Sequence, residues 1–163
     1  MAPRSRTTVG HAFTQLILEV FRLNGRLLSA GDALTSPVRQ TSARWQVLGA
    51  LDEEGQTVAE IGRRMGLARQ SVQRTSDLLE ADGLVSYAEN PAHQRAKLAI
   101  LTARGRAALD DITSRQIEWA NRVASRLTEA DLQHAIRTLL EVREAIEAAA
   151  LPAGRIRSKR RSA

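Results

Sequence analysis

The stretch from Thr57 to Leu101 constrains this chain most, because a capped short helix, a glycine turn, a second helix and a β-rich pair follow one another without a gap. Thr57-Val-Ala-Glu60 has the form of a capping box, in which a hydroxyl and a carboxylate satisfy backbone N–H groups at a helix start. From there Val58, Ile61 and Met65 recur at helical spacing, so they are expected to form one apolar face, while Gly62 admits a close neighbour and Arg63 and Arg64 turn outward. Gly66 then stands where a helix end favours a residue free to take positive φ.

The second helix is expected over residues 68–81. At about 100° per residue Ala68, Val72, Thr75 and Leu79 share one side, and Gln70, Gln73, Arg74 and Asp77 gather on the other with Arg69 at the flank. An apolar face seats such a helix, and outward Gln and Arg side chains are those that read adenine and guanine edges bidentately in a major groove. Asp82-Gly83 ends it. Residues 84–88 and 97–101 flank the polar loop Glu89-Asn-Pro-Ala-His-Gln-Arg95 and are expected to pair as a hairpin, a wing whose Arg95 reaches phosphate or the neighbouring minor groove. Two helices and a wing in this order are a winged helix-turn-helix.

These residues resemble the MarR (multiple antibiotic resistance regulator) transcription factors. The similarity covers about residues 9–149, and its most specific part is the run from Gly83-Leu-Val through Asn90-Pro-Ala-His-Gln-Arg-Ala-Lys-Leu-Ala-Ile-Leu-Thr-Ala-Arg-Gly105. That run looks like the family's wing signature, and Arg95 matches its DNA-contacting arginine. The chain departs from the pattern at Asn90 and His93, where aspartates are usual, at Gln94, where a basic residue is usual, and at Ala68, where a capping Asp or Ser is usual.

Around this centre the chain reads as helical. Residues 9–30 carry Val9, Phe13, Leu16, Ile17, Val20, Phe21, Leu27 and Leu28 as one stripe, and residues 31–40, with Gly31 and Pro37, read as a loop. Thr41-Ser42 offers hydroxyl caps for a helix through Leu51 whose Trp45, Leu48 and Leu51 face the core. Thr102 starts a long helix to Arg126 that carries Leu109, Ile112, Gln116, Trp119 and Val123, and Thr128-Glu-Ala-Asp131 starts another that Pro152 closes. The fold class is therefore mainly α with a small β-hairpin wing: a winged helix-turn-helix over about 41–101, with N- and C-terminal dimerisation helices over about 9–30 and 102–149. The terminal helices hold more apolar surface than one small winged domain covers. Two copies would cover it and set their recognition helices at half-sites one DNA turn, about 34 Å, apart.

Composition narrows the function further. The 163 residues suffice for one domain with tails and include no cysteine, which excludes disulfides, thiol catalysis and thiol-based sensing. No run of apolar residues is long enough for a membrane span and no signal-type segment follows Met1, so a cytoplasmic location and no membrane partner are expected. The net charge of +6 is more than supplied by Arg4 and Arg6 in a basic arm (1–8) and Arg155, Arg157, Lys159, Arg160 and Arg161 in a basic tail (151–163), so the 9–150 body is near neutral. His11, His93 and His134 are far apart, no metal-ligand spacing or phosphate-cradling glycine loop occurs, and Glu53-Glu54 and Asp110-Asp111 are neighbours that diverge on a helix. No enzyme, cofactor or metal is expected.

The expected function is a sequence-specific DNA-binding regulator, a repressor acting as a homodimer on double-stranded DNA with a pseudo-palindromic operator. Its DNA contacts are assigned to Arg63, Arg64, Arg69, Gln70, Ser71, Gln73, Arg74, Arg95 and Lys97. The resemblance also implies release by a small aromatic or anionic effector held between the dimer helices and the winged domain, for which His11, Gln15, Arg44 and Trp45 are the candidates. For Trp45 and Arg44 the plain alternative is a core indole and a surface cation. The rival function is a weakly selective architectural DNA binder driven by the basic tails.

Overall fold

The computed structural model describes residues 5–51, 54–93 and 95–149; the tails beyond them, with Pro152, the pair 52–53 and Gln94 lie outside the described residues. The chain divides into two compact units, Met1–Glu118 and Trp119–Ala163.

The first unit opens with α1 (Thr8–Thr35), capped by the Thr7 hydroxyl, which accepts from the Gly10 N–H. Residues 31–40 are not the loop that Gly31 and Pro37 suggest, because α1 runs on to Thr35 and only a 3-10 turn, Ser36–Val38, follows. The reason is packing. Gly31 is buried, and a Cβ there would lie 2.7 Å from Ser42 Oγ, so the glycine serves a close approach between helices. The Thr35 hydroxyl donates to the Gly31 carbonyl at 2.8 Å and the Asp32 carboxylate accepts from the Ser42 N–H at 2.7 Å, which ties the end of α1 to α2 (Ser42–Ala50).

Then come β1 (Gln56–Thr57), α3 (Val58–Met65), α4 (Arg69–Ala81), β2 (Val85–Ala88), β3 (Leu98–Leu101) and α5 (Ala103–Ala124), whose residues to 118 belong to this unit. The capping box of α3 is formed: Thr57 Oγ1 accepts from the Glu60 N–H and Glu60 Oε2 accepts from the Thr57 N–H at 2.8 Å. Gly66 takes φ 66° and closes α3. The core gathers Val47, Leu48, Ala50, Val58, Ile61, Val72, Leu79, Leu84, Val85 and Ala99. Two expected core positions move out: Met65 is 37% exposed, and Trp45 is only half-buried. On α4 the buried arc is Val72, Ser76 and Leu79, because Ala68 is the extended residue before the helix and Thr75 sits at the edge of the contact.

The wing is a three-stranded antiparallel sheet in the order β1-β3-β2. The expected hairpin is formed, and it pairs Val85 with Leu101 and Ala88 with Leu98. The two-residue β1 that adds to β3 through Gln56 and Ala99 is too short to carry a sequence pattern. The second unit holds the end of α5 and α6 (Glu129–Ala148), capped by Thr128, whose Oγ1 accepts from the Asp131 N–H. No helix among the described residues is long and apolar enough to cross a membrane, and no group of three His, Asp or Glu side chains there could hold a metal.

Candidate nucleic-acid interface

The outward face of α4 is built by the burial of the opposite one. With Val72, Ser76 and Leu79 in the core, Arg69, Gln70, Ser71, Gln73 and Arg74 are all exposed. Ala68 supplies no side-chain cap, which leaves the first N–H groups of α4 without a side-chain acceptor. Among the described residues the side chains of Arg69, Gln70 and Arg74 have no hydrogen-bond or ion-pair partner within the protein, the condition of groups available to bases or phosphates.

Between this helix and the wing lies a groove of about 340 Å³ lined by Arg69, Gln73, Tyr87, Arg95 and Lys97, with the start of α3 as its floor. Three cations in one concave surface suit a phosphodiester backbone, to which an arginine can donate two parallel hydrogen bonds. At the wing tip the Asn90 carboxamide accepts from the Ala92 N–H at 2.9 Å, so Asn90 makes the turn that an aspartate would make. His93 is an exposed loop residue there, and Arg95 is exposed beside it.

Gln73 is different from its neighbours. Its Nε2 donates to Asp77 Oδ1 at 2.7 Å and to the Tyr87 hydroxyl at 3.0 Å, and that hydroxyl donates to Asp77 Oδ1 at 3.0 Å. Burial, then the hydrogen bond and charge of Asp77, push the Tyr87 phenol from 10.0 up to about 12. Tyr87 lines the groove beside Gln73, a place that the sequence analysis does not give it. Alternation on β2 puts it on the face of the buried Val85, where a phenol meeting the i, i+4 pair Gln73 and Asp77 is the signal that could have found it.

The other assigned residues separate. Arg63 and Arg64 border a different hollow with Glu54, Gln56 and Glu60, and Arg64 Nη1 turns back to donate to the Ala50 carbonyl at 3.0 Å, closing the end of α2. Arg44 Nη1 is held by Asp82 Oδ2 at 2.6 Å and by Gln40 Oε1 at 3.3 Å. His11 and Gln15 are exposed on α1, at about 1.5 Å per residue some 24–30 Å along the helix from Gly31, where α1 meets α2. Within one protomer, therefore, His11 and Gln15 do not share a wall with Arg44 and Trp45, because a continuous helix carries them away.

Residues 41–96, from the start of α2 through the helix-turn-helix to the wing loop, match the sequence model of the MarR family. An uncharacterized protein of Mycobacterium tuberculosis is 38% identical over 119 residues, which are 73% of this chain and 83% of the relative. The crystal structure of the M. tuberculosis transcriptional regulator MOSR in complex with DNA superposes with a TM-score of 0.69 at 25% identity, over 83% of this chain and 98% of that one. CouR from Rhodococcus jostii, bound to p-coumaroyl-CoA, gives a TM-score of 0.71 at 24% identity, over 78% of this chain and 90% of its own.

Proposed function

This chain belongs to the MarR family of transcriptional regulators, and on that premise we propose that it is a homodimeric repressor of a pseudo-palindromic operator, released by a small aromatic or anionic effector. Members of the family are transcription regulators, not enzymes. The observation that carries the proposal is the exposed polar face of α4, where Arg69, Gln70 and Arg74 have no side-chain partner among the described residues, beside the groove of Arg69, Arg95 and Lys97. Gln70, Ser71, Gln73 and Arg74 face the base edges; Arg69, Arg95, Lys97 and Arg63 neutralise phosphates, and Arg64 adds charge beside its structural bond.

Dimerisation is supported in each unit separately. On α1, Val9 is 78% and Phe21 68% exposed, and on α6 Leu132, Ile136, Leu139 and Ile146 are all exposed. Faces this apolar are covered in a working protein, and a second copy offers the same faces in return. The domain division follows: 9–150 as the regulator, between the basic 1–8 arm and 151–163 tail, all in the cytoplasm with the DNA.

For the effector, the half-buried Trp45 indole gives a stacking wall and Arg44 a cation, and His11 and Gln15 of the second copy complete the site. An aromatic anion is the ligand class, as in the p-coumaroyl-CoA complex of CouR. Such a ligand releases DNA only if it binds the free dimer more tightly than the DNA-bound one.

The test is selection of duplexes from a random library by the full chain, followed by affinity measurement on the selected site and on random DNA. A palindromic site bound about a thousandfold or more above random DNA supports the proposal. A ratio near one makes the protein an architectural binder driven by its basic tails.

A further inference from the structure

The two glutamines on the exposed face of α4 are in different chemical states. Gln70 has no side-chain partner among the described residues and keeps both its donors and its acceptor. Gln73 has two amide hydrogens, and the protein engages both, one at Asp77 Oδ1 and one at the Tyr87 oxygen. The direction of each bond is fixed by its partner. An ionised carboxylate only accepts, so the nitrogen of Gln73, not its oxygen, faces Asp77. The single hydroxyl hydrogen of Tyr87 goes to Asp77, so toward Gln73 the phenol oxygen accepts. The phenol keeps that hydrogen well beyond neutral pH, since burial and Asp77 raise its pKa to about 12. What remains for a ligand is Gln73 Oε1 alone, on an exposed residue.

Resting on the reading of α4 as the helix that enters the major groove, we infer that Gln73 meets DNA only as an acceptor and recognises an exocyclic amino group, adenine N6 or cytosine N4. Tyr87 and Asp77 are the positioning residues that set this specificity. A bidentate contact to adenine needs an amide hydrogen for N7 as well as the oxygen for N6, and that hydrogen is not free. Guanine and thymine present carbonyl oxygens at the same place, so an acceptor-only side chain meets them oxygen to oxygen and rejects them. Gln73 thus separates amino bases from keto bases without choosing between adenine and cytosine, whereas Gln70, one turn earlier, retains the bidentate adenine contact.

The experiment is selection from a randomised duplex library with the full-length protein and its Gln73→Leu, Tyr87→Phe and Asp77→Ala variants. Gln73→Leu identifies the base position by flattening it. At that position the parent protein should enrich adenine and cytosine within about threefold of each other and deplete guanine and thymine. Tyr87→Phe and Asp77→Ala each free one amide hydrogen and should favour adenine over cytosine there by about threefold to tenfold, the worth of one added hydrogen bond. A purely structural role would weaken all positions alike and leave that ratio unchanged, which overturns the inference. A parent protein that already prefers adenine by tenfold or more also overturns it, as does a selected site that Gln73→Leu leaves intact. If the parent protein selects no sequence at all, the base-reading function itself falls with it.

Discussion

The Arg44 guanidinium donates to the Asp82 carboxylate at 2.6 Å, joining the first turn of α2 to the residue that ends the recognition helix. Arg104, in the first turn of α5, donates to the Asp82 carbonyl at 3.0 Å from another element. The end of α4 is therefore held by both helices. The pair is partly exposed, with side chains 20% and 49% accessible, so solvent limits its strength. A double-mutant cycle with Arg44→Ala and Asp82→Ala should give a coupling of about 0.5–1 kcal/mol in urea unfolding. Additive losses would show that the contact holds nothing.

Arg74 lies on the exposed face of α4 with no partner among the described residues. Arg74→Ala should cost about 1–3 kcal/mol on the selected operator and much less on random duplex. Equal losses on both would make Arg74 a phosphate contact.

Arg95 shares the groove with Arg69 and Lys97. One lost phosphate contact lowers the slope of log affinity against log salt by about one, so Arg95→Ala should show that drop in anisotropy titrations over a salt series. An unchanged slope would remove the wing from the interface.

Tyr87 is the single tyrosine, so its ionisation is read directly from phenolate absorbance. The folded protein should titrate at about 12 against 10.0 for an ordinary phenol, and Asp77→Ala should move the midpoint down. The raised value favours the neutral form in the fold. Its stabilising contribution is fully present below pH 10 and is lost as pH rises from there through about 12, since the unfolded chain releases the proton first. A midpoint near 10 in the folded protein would mean that the Gln73, Asp77 and Tyr87 network is not formed in solution.

Gly105 sits in the first turn of α5 against the backbone of Leu84, and an added Cβ would lie 1.9 Å from the Leu84 carbonyl oxygen. Gly105→Ala should destabilise by about 3 kcal/mol or more, because only a shift of the helix can relieve contact with backbone. Gly25, with nothing within 4 Å, is the control: Gly25→Ala should change stability by less than about 1 kcal/mol in the same thermal unfolding assay. Similar effects of the two would contradict the packing.

The sequence by itself determined whatever depends on neighbours along the chain. Thr57 and Glu60 are three residues apart, so their reciprocal caps needed no other element. Gly66 ends α3 through its own backbone freedom. The polar face of α4 was legible because helical periodicity alone sorts Val72 and Leu79 from Gln70 and Arg74. Tertiary structure decided whatever joins distant residues. Gly31 looked like a helix breaker, but Ser42 lies against it, so it is a packing position inside α1. Arg44 looked like a free cation until the fold brought Asp82 to it. Gln73 looked the equal of Gln70, yet only Gln73 meets Tyr87, 14 residues on, because β2 folds back beside α4. A hydrogen bond is made once, and which partner takes it depends on what the fold brings within about 3 Å, a distance that local sequence does not encode for residues on separate elements.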